Sequence, residues 1–334
     1  GITIPKPNPG EVTILGENAD GTTIAQLDTT ELCRLSSTGQ LDTTYGTNGF
    51  TDPVEGFNHR LDPGSNGTGA TCLLDTDGQV IAVVKSGHFP DASTGHVLIA
   101  LRRITTTGKI DPNFGIGPPN INPPPSTRRI KLFAPHSSAG SPPDYANIRI
   151  AGMTWLRDTL YIIATGFAGG GTYTLGNGLT IRKPEYPTLL ITRWTRQGEV
   201  DPTIPGGYQE GGTDPFLYWY ANGVLRDAKE SFLIYGGGGT PWTKTTQLPD
   251  GTTYTETLVR QPGPAIFRVN HPTGLDQTFG DHGAAVIRVP DLYPSVIAGG
   301  LSTARDHCTL AYLDPHQYQR GPLRSTFGGA ARFR

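Results

Sequence analysis

Charge is scarce in this chain, and cysteine and methionine are scarcer. Charged residues make up 17% of the 334, and the net charge is −2. The longest basic runs are pairs such as Arg102-Arg103 and Arg128-Arg129. Nucleic-acid binding needs a clustered basic face; the sequence offers none, which argues against that class of partner. No run of about 18 apolar residues is present, so no helix of it is expected to span a membrane. No signal peptide is visible, although a chain that begins at Gly1 leaves room for a leader removed beforehand. The three cysteines, Cys33, Cys72 and Cys308, form neither a disulfide framework nor a zinc site. Each lies in an apolar, strand-like context, so buried free thiols are expected. A Cys33–Cys72 bridge is the alternative that the sequence leaves open.

Sustained helical periodicity with caps is also missing. What the chain has instead is 45 glycines and 29 prolines, more than a fifth of its length. Both are poor in helix interiors and good in turns, so many short strands joined by turns are expected. The turns are not random. "RLSSTGQLDTTYGTNG" (34–49) is followed by "RRITTTGKIDPNFGIG" (102–117), "RWTRQGEVDPTIPGG" (193–207) and "RVNHPTGLDQTFGDHG" (268–283). A fifth, worn copy, "RGPLRSTFGG" (320–329), has Arg324 where the others have Asp. The aliphatic residues before the Asp are Leu41, Ile110, Val200, Leu275 and Leu323, spaced by 69, 90, 75 and 48 residues. A constant motif with variable connections is the signature of a repeat fold with insertions in its loops.

Each copy follows an apolar strand: "ELCRL" (31–35), "VLIALRRI" (97–104), "LLITRW" (189–194), "AIFRV" (265–269) and "TLAYL" (309–313). A second strand signal lies upstream: "EVTILG" (11–16), "QVIAVVKSG" (79–87), "LYIIATG" (160–166), "SFLIYGG" (231–237) and "SVIAGG" (295–300). A third follows in places: "RRIKLF" (128–133), "AAVIRV" (284–289) and "AARFR" (330–334). Within the motif, Gly108 suits a turn, and Ile110 is expected to enter the apolar layer. Asp111 can accept backbone N–H groups two residues on. Phe114 can plug the gap between neighbouring sheets. On this reading Asp42, Asp111, Asp201 and Asp276 are equivalent turn residues, and Tyr45, Phe114, Phe279 and Phe327 are equivalent plugs.

The pattern resembles the delta-60 repeat, a bacterial family whose units read roughly "DGkilvaG … alaRlnxdGslDxxFGxxG". "TDGQVIAVVKSG" (76–87) with "LIALRRITTTGKIDPNFGIG" (98–117) is the unit nearest that pattern. The third copy departs from it with Ile204-Pro205 in place of Phe-Gly, and the fourth carries its Gly one place late, at Gly274. The resemblance implies a β-propeller-like, all-β architecture and says little of activity. Five units suit five radial sheets. The expectation is one β-propeller domain over 1–334, with units at about 1–60, 66–134, 147–212, 217–290 and 294–334. A bacterial secreted or cell-surface protein is expected.

Candidates for chemistry lie outside the repeated frame. Tyr218, Trp219, Tyr220, Trp242 and Tyr254 gather in the longest elaborations, "DPFLYWYANG" (214–223) and "GGGGTPWTKTTQLPDGTTYTETL" (236–258). Aromatic faces can stack on sugar rings; an ordinary alternating strand is the competing account. The loop holding His88, Asp91 and His96 matches no standard metal spacing. Asp75 and Asp77 fit a hairpin turn at Asp77-Gly78. The Gly-rich "GFAGGGTYTLGNG" (166–178) lacks the Lys-Ser/Thr of a P-loop and reads as a flexible loop. No nucleophile elbow, H-E-x-x-H helix or Cys–His signature occurs, so no metal or cofactor is expected. Asp158, Asp227, Glu230 and Asp306 sit near strand starts, where propeller hydrolases can gather paired carboxylates. "LRD" at 156–158 and 225–227 favours a hairpin role. The first expectation is therefore a non-enzymatic recognition module for a glycan or a protein partner. A glycoside hydrolase or lyase, and a structural spacer in a surface assembly, are the alternatives.

Overall fold

The structure is a computed structural model that describes residues 12–27, 31–51, 72–86, 96–115, 127–131, 146–174, 180–201, 208–211, 218–228, 230–247, 251, 253–280, 284–286, 297–304, 307–313 and 329–333. Among these the regular structure is all β, without a helix, and every strand pairing is antiparallel. No described helix is long and apolar enough to cross a membrane.

Five separate sheets follow one another along the chain. The first holds β1 (Val12–Glu17), β2 (Thr23–Leu27) and β3 (Glu31–Leu35). The second holds β4 (Cys72–Leu74), β5 (Val80–Ser86), β6 (His96–Ile104) and β7 (Thr127–Lys131). The third holds β8 (Ala146–Leu156), β9 (Thr159–Thr174), β10 (Thr180–Thr195) and β11 (Tyr208–Gly211). The fourth holds β12 (Tyr218–Ala228), β13 (Ser231–Gln247), β14 (Thr253–Asn270), β15 (Gly274–Leu275) and β16 (Ala284–Val286). The fifth holds β17 (Ile297–Ala304), β18 (His307–Leu313) and β19 (Gly329–Phe333).

Alternation along the strands sends apolar residues to both faces of the first four sheets, and the cores form between sheets. Ile24, Leu32 and Tyr45 meet Cys72, Val80 and Ile104 between the first two sheets. Ile81, Leu101 and Phe114 meet Ile150, Ile162, Leu190 and Trp194 between the second and third. Tyr161, Ile163 and Ile191 meet Phe232, Ile234 and Phe267 between the third and fourth. β17 lies against β12 and β13. Each fully buried Leu, Ile or Phe contributes about 1.5–3 kcal/mol, so the layers hold one another rather than standing alone.

Three expectations need correction. In the first sheet "EVTILG" (11–16) supplies the outer strand β1, and the strand before "ELCRL" is β2, "TIAQL". Its five residues, polar at Thr23 and Gln26, give a weaker strand signal than "EVTILG". The Gly-rich stretch reads as a loop in sequence, yet residues 166–174 continue β9, paired with β10. The partner strand fixes a backbone that glycine alone would leave free. Ile110 does not enter the apolar layer. It is 37% exposed, whereas its counterpart Leu275 is buried. Ile110 makes a single bridge to Ile104 at the rim of its sheet, where the next layer no longer covers it. Cys33 and Cys72 are buried free thiols, so they form no bridge.

Candidate functional site

The recurrent motif builds one construction four times. After the strand, a tight turn closes: Gly108 N–H donates to Thr105 at 2.9 Å, and Gly198 N–H to Thr195 at 3.0 Å. The Asp N–H then returns to the Arg eight residues earlier: Asp42 to Arg34, Asp111 to Arg103, Asp201 to Arg193 and Asp276 to Arg268, all within 2.9 Å. The same pairs are joined by their side chains, Arg Nε or Nη2 lying 2.6–3.2 Å from Asp Oδ2. The other carboxylate oxygen accepts N–H two residues on, from Thr44, Asn113 and Thr278, at 2.8–3.0 Å. In the first and fourth copies it also accepts the Thr44 or Thr278 hydroxyl. The guanidinium of Arg34 stacks on Tyr45 at 5.0 Å, and those of Arg103 and Arg268 stack on Phe114 and Phe279 at 4.7 Å.

These contacts set the carboxyl pKa values. The Thr278 hydroxyl is the chief cause that brings Asp276 down to about 2. The Thr44 hydroxyl does the same for Asp42, whose pKa is lowered. At Asp111 burial acts to raise the pKa, and the hydrogen bonds from Arg103 and Asn113 outweigh it, so the net direction is down.

The first three motifs also clasp the next sheet. Arg34 Nη1 donates to the Thr106 carbonyl, Arg103 Nη1 to that of Arg196, and Arg193 Nη1 to that of Pro272. All three acceptors stand two residues before the turn glycine of the following copy, Gly108, Gly198 or Gly274. Gly46 N–H reaches Thr107 and Gly115 N–H reaches Gln197. Gly108 and Gly198 adopt φ of 80° and 78°. A Cβ on Gly198 would lie 2.4 Å from the Phe114 ring, so the aromatic plug sits directly on the next turn. Tyr45 is 1% exposed and Phe114 7%, while Phe279 is half-buried. Phe327 and Ile204-Pro205 lie outside the described residues. The arginines were missed in the sequence because they end apolar strands; their recurrence eight residues before each Asp was the available signal.

The aromatic candidates fall in two places. Tyr218, Trp219 and Tyr220 begin β12, opposite Gly239, Gly238 and Gly237 of β13. Trp242 and Tyr254 lie further out, on rungs of the same parity, opposite Leu258 and Thr246. Their backbones are described and their side chains are not. Among the described residues the outermost rung of β12 is Tyr218 with Gly239, and β13 and β14 pair with each other as far as Gln247 and Thr253. β9 and β10 likewise pair with each other to Thr174 and Thr180, past Ala168, where the described part of β8 begins at Ala146.

At the opposite end of β9 and β13, the turns of three units enclose a cavity of about 160 Å³ lined by Asp75, Thr76, Trp155, Arg157, Arg196 and Arg226. Asp75 and Thr76 stand in the β4–β5 turn, where Asp75 Oδ1 accepts N–H from Asp77 and Gln79 at 2.9 Å. Burial pushes the Asp75 carboxyl above the usual range. Arg157 and Asp158 form the two-residue turn between β8 and β9, and Arg157 has φ of 52°. Arg157 pairs with Glu230 at 2.9 Å. Arg196 pairs with Asp158 and Asp77 at 2.7 and 3.1 Å and covers Trp155 at 5.4 Å. Of the four carboxylates considered in the sequence, Asp158 and Glu230 are thus held by arginines of neighbouring turns. The side chain of Asp227, and the whole of Asp306, His88 and Asp91, lie outside the described residues. Among the described residues no group of three His, Cys, Asp or Glu side chains gathers as a metal site. Comparison with family models, curated proteins and solved structures gives no match.

Proposed function

We propose that the chain is a β-propeller-like recognition module of delta-60 type, non-enzymatic, binding a glycan or a protein partner through the ribbons of its third and fourth units. A bacterial secreted or cell-surface setting goes with that reading. The observation that carries it is the pair of long hairpins, β9–β10 and β13–β14, which run on past the described parts of their neighbouring strands at equivalent places in consecutive units. The described side chains at the tip of the fourth unit's ribbon, Thr245, Thr246, Gln247 and Thr253, are exposed, and exposed elaborations on a rigid frame are where binding residues concentrate. Trp242 and Tyr254 give one ribbon rigid, amphipathic anchors.

The propeller part of the proposal draws on the sheet-to-sheet clasps, which repeat with one geometry, as radial blades require. It also draws on the first sheet, where Ala25, Leu27, Cys33 and Leu35 are buried on the face turned away from the second sheet. A first blade needs cover there from the last. The hydrolase alternative has less support, because it needs two carboxylates roughly 5–10 Å apart and the cavity is lined by one, Asp75. A glycan array with the wild type, Trp219→Ala and Trp242→Ala tests the glycan version. Binding that Trp242→Ala abolishes is expected; silence of the wild type on every glycan would remove that version and leave the protein partner.

A further inference from the structure

The cavity at the turn end is chemically lopsided. Arg196 is already engaged by Asp158, Asp77 and the face of Trp155. Arg157 uses Nε toward Glu230 and remains largely exposed. Arg226 is exposed and makes no ion pair among the described residues. Trp155, half-buried against the core between the second and third sheets, has a buried indole N–H without an acceptor. The wall therefore offers donors in excess, two of them charged and forked. A ligand that satisfies them brings acceptor oxygens, best a carboxylate that Arg226 can hold in bidentate fashion.

The cavity's one carboxylate narrows the class. Asp75 spends Oδ1 on its own turn and makes no bond through Oδ2 among the described residues. A phosphate would set a charge of about one to two units, spread over all its oxygens, directly against that carboxylate. A hydroxy acid supplies both halves: a carboxylate for the arginines and a hydroxyl for Asp75. The volume, about 160 Å³, is well below the roughly 300–1,000 Å³ of drug-sized pockets, which restricts the occupant to a single ring or a terminal group. Arg157 adds a second indication. It holds φ of 52°, a conformation that L-residues other than Asn and Asp rarely adopt and that a glycine would take without cost. An arginine kept there places a guanidinium at the cavity rim. We infer that this cavity, between the turns of the second, third and fourth units, binds the acidic ring of a saccharide, a hexuronate. It stands at the other end of the strands from the ribbons and does not depend on them.

Calorimetric titration of the full chain with glucuronate and galacturonate, beside glucose, galactose, inorganic phosphate and a short peptide with a free C-terminus, tests it. A Kd of about 1 mM for one uronate is expected, with every comparison ligand at least about tenfold weaker, as loss of one charge-assisted contact implies. Arg226→Gln and Asp75→Asn should each weaken the uronate by about tenfold or more. Arg226→Gln should leave the melting temperature unchanged, since the side chain is exposed, and Trp242→Ala should leave uronate binding unchanged. The inference fails if neither uronate binds at about 10 mM, ten times the expected Kd. It also fails if phosphate or a neutral hexose binds as well, if the peptide binds more tightly, or if folded Arg226→Gln binds as the wild type does.

Discussion

Arg103 fixes its own turn and the next sheet at once. Nε and Nη2 hold Asp111, Nη1 holds the Arg196 carbonyl, and the guanidinium plane covers Phe114. A lysine has one point charge and no fork, so Arg103→Lys should lose most of these contacts and about 1–3 kcal/mol. Urea unfolding measures that directly. Phe114→Ala removes the plug on Gly198 and should cost about 3–5 kcal/mol, as for a large-to-small core change. If both variants unfold as the wild type does, the motif has no role in joining sheets. The aspartates predict the acid limb. Asp276 has a folded pKa of about 2, below the roughly 3.9 of an unfolded Asp. A depressed folded pKa stabilises above the unfolded value, and that contribution disappears as pH falls through the folded one. Asp42 and Asp111 shift in the same direction. Stability should therefore hold at and above about pH 5 and decline from about pH 4 towards pH 2. Asp276→Asn should flatten that decline, and urea midpoints taken across the range would show whether it does.

The ribbon β13–β14 is an element whose removal should spare the fold. Among the described residues, the core between the third and fourth sheets uses Ala221, Phe232, Ile234, Ala265 and Phe267, all on the near side of the Thr240–Arg260 rung. Replacing residues 241–259 by Asn-Gly, a two-residue hairpin turn, should leave far-UV circular dichroism β-rich and the melting temperature nearly unchanged. It should abolish the binding assigned to the ribbons. A collapse of the fold would make the ribbon a structural element and remove its claim to function. The ribbon also shows what was legible in sequence. Apolar stretches such as "SFLIYGG" and "AIFRV" marked the packed halves of β13 and β14, because burial writes itself as Leu, Ile and Phe. The outer halves, "TPWTKTTQ" and "TYTETLVR", carry no burial pattern and read as loop; only their partner strands make them strands. The motif's Asp and aromatic were legible because they recur. The cavity was not, because Asp75, Trp155, Arg196 and Arg226 come from three units and no spacing along the chain joins them.

The order of the molecule is a series of clasped layers, and the proposed ring would join the last layer to the first. Cys33 and Cys72 report on the two faces of the first sheet. Cys72 lies with Tyr45 and Ile24 in the core shared with the second sheet. Cys33 lies with Ala25, Leu27 and Leu35 on the opposite face. Both thiols are free and buried, and burial pushes the Cys33 thiol up to about 11, which keeps it protonated and inert near neutral pH. In a closed ring the fifth unit completes the cover over Cys33 that Leu41 and Phe50 of its own unit begin. A chain ending at residue 293 loses that unit together with Cys308, leaving two cysteines to follow. Exposure of Cys33 would return its pKa towards about 8.5 and make it reactive to a neutral maleimide at pH 8. Cys72, still held between the first two sheets, should stay protected. Mass spectrometry of the modified peptides separates the two. Modification of Cys33 alone is the outcome a ring predicts; protection of Cys33 in the shortened, folded chain would mean that its own unit, through Leu41 and Phe50, covers it without the fifth, and would remove this support for a ring.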